Sequence, residues 1–450
     1  MPPPNIVFIY VDDLGWRDVG FNGSTWYETP NIDRLAAGGM IFTDAYANGP
    51  NCAPSRASLM SGQYSPRHGI YTVNSPERGQ SRNRKLIPTP NTTVLDSTVF
   101  TLTEALQAAG YTSISLGKWH MGQGSATGPV GQGFTYNVGG NQRGHPPTYF
   151  SPYRNEDIAD GPEGEYLTDR LTEEAVRFIE QHKAGPFFVY LPYYAVHTPI
   201  QGKPALVEKY AAKSNEGPQN NPMYAAMVET VDQGVGRILA TLDDLAISEQ
   251  TLVVFYADNG GVHGITSMAP LRDGKGTLYE GGIRVPLAMR WPSVIAPGTQ
   301  SRVPVIGIDF FPTFLEITGQ PGPPSQILDG ESLIPLLKQT GTLTRDALFW
   351  HFPAYLEANP QWYPNGRTWR TTPAGAIRQG SWKLIEYFED GRLELYDLGS
   401  DPGETRNVAA QNPQTVEALH RRLQLWRESV HAPVPTTLNP DYVTPGNPAL

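Results

Sequence analysis

Short apolar runs alternate with longer stretches of helical spacing along most of this chain. Ile6 to Val11, Ser113 to Leu116, Phe187 to Leu191 and Leu252 to Tyr256 are apolar and bounded by polar or turn residues. That is the pattern of strands buried on both faces of a sheet. Apolar residues recur at helical spacing in Leu102 to Ala109, Tyr166 to His182, Tyr224 to Leu242 and Phe310 to Thr318. Within the second of these, Asp169, Glu173 and Glu174 lie early, where the helix dipole favours negative charge. The alternation predicts an α/β protein, with a large mixed, mostly parallel sheet sandwiched by helices.

The texture changes after about Leu343. Trp382 to Tyr387 and Leu393 to Asp397 alternate as strands around a turn at Asp390-Gly391, and Pro413 to Glu428 has helical spacing. This predicts a large layered domain over residues 1–343. A smaller unit over 344–450 would hold an antiparallel sheet, a helix and a Pro-rich tail after Ala432 that wraps the surface or is disordered. There is no internal repeat.

The 450 residues suffice for a large core plus a small module, and 42 Pro with 46 Gly predict many loops, the usual place for sites on a rigid scaffold. Lys plus Arg total 34 against 44 Asp plus Glu, a net charge of −10. That balance argues against a nucleic-acid partner while leaving room for a local basic pocket that holds an anion. One cysteine allows no intramolecular disulfide, so it does not fix the compartment. No run is long and apolar enough to span a bilayer, and Met1-Pro2-Pro3-Pro4 is not a signal peptide. The expected location is periplasmic or extracellular if a leader has been removed from this chain, and cytoplasmic otherwise.

That single cysteine lies in Asn51-Cys52-Ala53-Pro54-Ser55-Arg56-Ala57-Ser58-Leu59-Met60-Ser61-Gly62. A free cysteine is commonly an inert core residue, but the Pro-Ser-Arg that follows is loop or helix-start chemistry, and a buried arginine needs a partner. Two other segments share one design: Val11-Asp12-Asp13-Leu14-Gly15 and Ala257-Asp258-Asn259-Gly260-Gly261 each deliver hard oxygen donors from the end of an apolar strand into a Gly-containing loop. In open α/β sheets the ligand crevice lies at the carboxyl ends of strands, and all-oxygen donors favour Ca²⁺ or Mg²⁺ over zinc. Taken singly, both segments are also ordinary turn chemistry. Gly117-Lys118-Trp119-His120, Tyr194-Ala195-Val196-His197-Thr198-Pro199 and Gly274-Lys275-Gly276 add two lysines and two histidines, the first two of these segments at predicted strand ends.

Cys52 with Pro54 and Arg56, followed in chain order by these Lys, His and Asp-Asn segments, resembles the type I sulfatases of the alkaline phosphatase superfamily, over about Asn5 to Asn407. The resemblance implies that Cys52 is oxidised to formylglycine, whose hydrate attacks sulfur, by a formylglycine-generating or anaerobic sulfatase-maturing enzyme. It assigns one Ca²⁺ to Asp12, Asp13, Asp258, Asn259 and an oxygen of the modified Cys52. Arg56 would anchor residue 52, Lys118 and Lys275 would hold the sulfate oxygens, His197 would protonate the departing alcohol, and His120 would deprotonate the remaining hydroxyl so that sulfate is expelled. Ser61-Gly62 departs from the Thr-Gly of many relatives but keeps the hydroxyl.

The implied substrate is a small-molecule or oligosaccharide sulfate ester, with no nucleic-acid or membrane partner. The pattern looks most like bacterial exo-acting carbohydrate sulfatases, and galactose or N-acetylgalactosamine 4-sulfate is the expected substrate. Arg143 and His145 in Asn141 to His145, His351 in Trp350 to Pro353, and Arg367 in Trp362 to Trp369 are candidates for a sugar subsite, since aromatic faces suit sugar rings and guanidinium groups suit anions. Loops packed by their own aromatics account for these segments equally well. His68, His182 and His263, and His145 if its loop is not a subsite, read as structural. Two alternatives stand beside this: a phosphonate or phosphodiester hydrolase of the same superfamily, and a non-catalytic binder of sulfated glycans. Oligomeric state is not encoded in any visible feature.

Overall fold

The computed structural model describes residues 3–214, 217–363 and 366–444. Its centre is an eight-stranded sheet whose spatial order is Tyr136–Val138, Thr112–Leu116, Phe187–Pro192, Asn5–Val11, Thr251–Ala257, Leu287–Arg290, Met40–Phe42 and Thr299–Ser301. The first five strands run parallel, Leu287–Arg290 pairs antiparallel with both its neighbours, and the last pair is parallel again. The sheet is therefore mixed and mostly parallel, as the alternation predicts. All seven residues of Asn5–Val11 and of Thr251–Ala257 are buried, which explains their unbroken apolar sequence.

Helices Leu167–His182 and Pro222–Asp244 turn apolar stripes onto this sheet, and Phe310–Thr318 closes on Phe8 through edge-on aromatic contacts of Phe310 and Phe314. The sequence reading of these helices differs from the structure only at the ends, where Tyr166 is an N-cap and the second helix begins at Pro222. No helix among the described residues is long and apolar enough to cross a membrane.

A second, antiparallel sheet has the order Ala347–Phe352, Ala374–Gln379, Trp382–Tyr387, Leu393–Asp397, and the helix Pro413–Ser429 packs on it. Its core joins Trp350, Phe352, Ile377, Leu384, Leu395 and Leu423 to Tyr46, Ile283 and Ile308 from earlier in the chain. The indole of Trp350 donates to the Ala47 carbonyl at 2.8 Å. The tail beyond Ala432 wraps the surface: Ile87 donates to Thr437, Asn439 to Lys85 and Val443 to Arg82. Its last residues, 445–450, lie outside the described residues.

A buried ion cluster ties the second sheet to the loop that carries Glu280. Lys383 Nζ lies 2.9 Å from Glu280 and 2.8 Å from Glu404, with all three side chains fully buried. Glu280 opens the short turn that follows Lys275, and Tyr46 donates to its other oxygen at 2.7 Å. Lys383→Met removes the shared cation and leaves the two buried carboxylates facing each other. The expected cost is about 3–5 kcal/mol of unfolding free energy. Urea denaturation showing a loss under about 1 kcal/mol would mean that Arg284 and Arg378 already neutralise the cluster.

Candidate active site

The site is assembled by strand register. Val11 pairs with Ala257, so Asp12-Asp13 and Asp258-Asn259 leave the sheet side by side. Tyr10 pairs with Pro192 and Ser115 with Tyr190, which brings the segments carrying His197 and Lys118 to the same edge. The loop after Thr251–Ala257 then packs backbone to backbone against the Lys275 turn: Gly260 donates to Gly282, and Lys275 to Gly261. A Cβ on Gly260 would lie 1.9 Å from the Gly281 carbonyl oxygen, and one on Gly282 would lie 2.1 Å from that of Thr277. The paired glycines are thus required by close approach rather than by turn formation alone.

Cys52 opens the helix Cys52–Ser61, all ten residues of which are buried. Arg56, one turn further on the same face, sends Nε and Nη2 to Asp258 Oδ2 at 3.0 and 2.8 Å and Nη1 to the Lys118 carbonyl at 2.9 Å. Lys118 binds Asp12, and Lys275 binds Asp13 while lying 3.2 Å from Cys52 Sγ. Three carboxylates and three cations therefore alternate in one buried cluster. Asp13 (φ 60°) and His120 (φ 65°) hold left-handed backbone without being glycine, strain of a kind that gathers where side chains must be aimed.

These charges set the protonation states. Burial favours the neutral Cys52 thiol, but Lys118, Lys275 and hydrogen bonds from His120 and His197 outweigh it and hold its pKa well below the ordinary value. Burial and the neighbouring Asp258 push Asp12 well above the usual carboxylate range, against the pull of Lys118. Asp13 is lowered because Lys275 and His197 overcome its burial. Burial lowers His120 to about 4. Its Nδ1 is buried with no hydrogen-bond partner, and the ring lines the cavity beside Cys52. His197 holds Nδ1 2.8 Å from the Thr198 carbonyl, an acceptor, which fixes the proton there and turns Nε2 toward Asp13 Oδ2 at 3.7 Å.

One ligand atom each of Asp12, Asp13, Cys52 and His197 lie within 4.8 Å of one another. Asp12 Oδ1 and Asn259 Oδ1 are buried with no hydrogen-bond partner, and Asp258 Oδ1 accepts only the Asp13 amide at 3.2 Å. Unpartnered buried oxygens beside crowded carboxylates fit a hard divalent cation.

Cys52, His120, His197 and Lys275 face a cavity of about 620 Å³, and Arg143 and His145 line it as well. The His145 ring stacks on His197 with centroids 6.0 Å apart. Lys118 is fully buried beneath the cavity against Asp12 and does not line it. Two subsite candidates require correction. His351 lies in the C-terminal core, where Nε2 is 2.8 Å from the Pro433 carbonyl and burial pushes its pKa to about 3, so it has no access to ligand. Arg367 is bound to Asp273 at 2.8 Å and to the Trp369 and Arg370 carbonyls, and does not line the cavity. Residues 364 and 365 of that segment lie outside the described residues. The sequence reading missed Arg78 and Arg370, which do line the cavity. Arg370 lies one residue beyond a segment already singled out, whereas Arg78 carried no signal in its loop. Elsewhere, His68 bonds Ser58, His182 bonds the Phe178 carbonyl and His263 stacks on Tyr363.

Residues 4–320 match the family described as "Sulfatase", and 273–429 match "N-sulphoglucosamine sulphohydrolase, C-terminal". The chain belongs to the sulfatase family. It is 34% identical to a sulfatase of Formosa agariphila over 96% of this chain and 90% of that one, and 32% identical to mouse N-acetylgalactosamine-6-sulfatase over 96% and 87%. The solved structure of Ps i-CgsB in complex with k-i-k-neocarrahexaose superposes with a TM-score of 0.78 at 30% identity, covering 99% of this chain and 94% of that one. This sulfatase is accordingly a sulfuric ester hydrolase.

In this sulfatase Asp258 is the hub, since it neutralises Arg56 and holds the Asp13 amide. Asp258→Asn leaves the Arg56 guanidinium buried beside a neutral amide, and should lower stability by about 3 kcal/mol. Sulfate release should fall by about 100-fold or more as the cluster loosens. Thermal unfolding and turnover of the same preparation check both; unchanged values would remove Asp258 from the centre.

Proposed function

We propose that this sulfatase hydrolyses sulfate esters of galactose or N-acetylgalactosamine units, using formylglycine at position 52 and one Ca²⁺. The observation that carries the reading is the place of Cys52. It sits on the floor of a sugar-sized cavity, between Lys275, His120 and His197 above and the unpartnered oxygens of Asp12 and Asn259 below. The hydrated aldehyde supplies the attacking hydroxyl. Asp12, Asp13, Asp258 and Asn259 would hold the Ca²⁺, whose charge offsets that on the sulfuryl oxygens.

The protein's own groups divide the remaining work. Lys275 faces the cavity and meets a sulfuryl oxygen directly, while Lys118, buried against Asp12, adds positive potential from beneath. Protonated at Nε2, His197 is steadied by Asp13 and delivers that proton to the departing oxygen. His120, beside residue 52 in the cavity lining, would take the proton of the hydroxyl that remains there as the C–O bond to sulfate breaks. The mouse and Ps i-CgsB relatives support a carbohydrate substrate, as do Arg143 and His145 in the wall. The mouse relative is an N-acetylgalactosamine-6-sulfatase, so 6-sulfates belong in the test beside the expected 4-sulfates.

The reading is tested by sulfate release from galactose and N-acetylgalactosamine 4- and 6-sulfates, with metal content and the mass of the peptide spanning Ala45 to Arg56 measured on the active enzyme. Release from at least one sugar sulfate, about one Ca²⁺ per chain and a peptide lightened by the thiol-to-aldehyde exchange are expected. Active protein carrying unmodified Cys52, stoichiometric zinc, or turnover that survives complete metal removal would overturn the mechanism.

The two histidines separate by leaving group. His197→Ala should slow alkyl sugar sulfates about 100-fold more than aryl sulfates with acidic phenols, which depart without proton help. His120→Ala should slow sulfate release alike for both classes. Steady-state kinetics with equal leaving-group sensitivity in the two variants would reverse or cancel these roles.

A further inference from the structure

The chain carries a net charge of −10, yet the cavity lining holds four cationic side chains, Arg78, Arg143, Lys275 and Arg370, against one carboxylate, Glu357. Lys275 is accounted for by Asp13. Arg143 is exposed and bonds the Arg154 carbonyl, whereas the more enclosed Arg78 and Arg370 are not accounted for by any carboxylate. Among the described residues neither has a carboxylate within 4 Å, and Glu357 pairs with neither. Arginines of nearby elements differ: Arg84 pairs with Glu77, Arg284 and Arg378 with Asp44, and Arg367 with Asp273.

The two free guanidinium groups are held in place by backbone. Arg78 Nη2 donates to the Val73 carbonyl at 2.8 Å, and Arg370 Nη1 donates to the Lys275 carbonyl at 3.2 Å. Arg370 lies over the Lys275–Gly276 turn, where a Cβ on Gly276 (φ 89°) would stand 2.5 Å from its Cδ. The Trp362 ring supports the guanidinium from 5.7 Å, and its Nε is buried with no partner. Burial lowers the pKa of Arg370 and the nearby charge of Arg78 adds to this, against Tyr363, Asp13 and Asp273. Two like charges that line one cavity, act on each other and have no carboxylate partner attract a second anion.

We propose that Arg78 and Arg370 form a second anion subsite, so that the preferred substrate carries another sulfate or a carboxylate beside the sulfate being cleaved. The inference rests on the sugar-sulfate reading above and narrows its substrate class to polyanionic saccharides. The subsite shares its cavity with Cys52 and Lys275, so one sugar or disaccharide spans both.

The test compares kcat/KM for a galactose-type monosulfate, the corresponding disulfate, and a sulfated disaccharide bearing a uronate. The wild-type enzyme should prefer the more highly charged substrates by about 10- to 100-fold, the range for charge-assisted hydrogen bonds. The disulfate and uronate arms tell which second anion is taken. In Arg78→Gln and in Arg370→Gln that preference should fall to within about threefold of unity. Arg78→Gln guards against the objection that Arg370→Gln also frees the Lys275 turn, because Arg78 makes no bond to it. Calorimetric binding of the same ligands to the Cys52→Ala protein gives the ratio without turnover. A wild type indifferent to the second anion, or variants that keep the full preference, overturn the subsite. Failure of every sugar sulfate to be cleaved, with the binding preference intact, would instead sink the hydrolytic reading and leave the subsite standing.

Discussion

Everything at the active edge depends on mutual neutralisation of buried charge. Asp12, Asp13 and Asp258 emerge from the sheet into buried surroundings, and Arg56, Lys118 and Lys275 meet them there. None of these groups tolerates burial alone, since an unpaired charge in such surroundings costs several kcal/mol. The cluster therefore holds only if four parallel strands end in register, a helix is buried on all sides to carry Arg56, and two glycine pairs let the Asp258 and Lys275 loops touch. The same balance leaves oxygens of Asp12 and Asn259 unpartnered and keeps Cys52 in a positive field.

Around this fixed centre the walls of the cavity come from loops of different origin. Arg78 comes from the segment after the Cys52 helix, Arg143 and His145 from the loop beyond Tyr136–Val138, and Glu357 and Arg370 from a separate pair of short strands between the first two strands of the C-terminal sheet. Chemistry is set on strand ends and fully buried groups, whereas the surfaces that meet the alcohol part of a substrate lie on half-buried or exposed loops. That division lets one cleavage centre serve many esters. The C-terminal part of the chain contributes to both: Arg370 lies over the Lys275 turn, and the buried Lys383 cluster grips Glu280 behind it.

The layered fold and the strand-end donors were legible in the sequence for one physical reason, whereas Cys52 and Lys275 were singled out by the family resemblance. Strands buried on both faces must be continuous apolar runs, and such strands deliver their next residues to the same edge. Asp12-Asp13, Lys118, His197 and Asp258-Asn259 could accordingly be placed together before any coordinates. The Asp390-Gly391 hairpin was equally clear, since its turn needs the positive φ that Gly391 adopts (69°).

What tertiary structure alone decided is which polar loop residues face the cavity. His351 and Arg367 share the composition of a sugar subsite, but one is spent on the Pro433 carbonyl and the other on Asp273. Arg78 and Arg370 look like any surface arginine in sequence, and only packing shows them facing the reactive centre without a carboxylate. The burial of Lys118 beneath the cavity is likewise invisible in its motif. Strand periodicity is a local property and so is written along the chain. The partner of a loop side chain is fixed by contacts between residues hundreds of positions apart, and no local pattern records them.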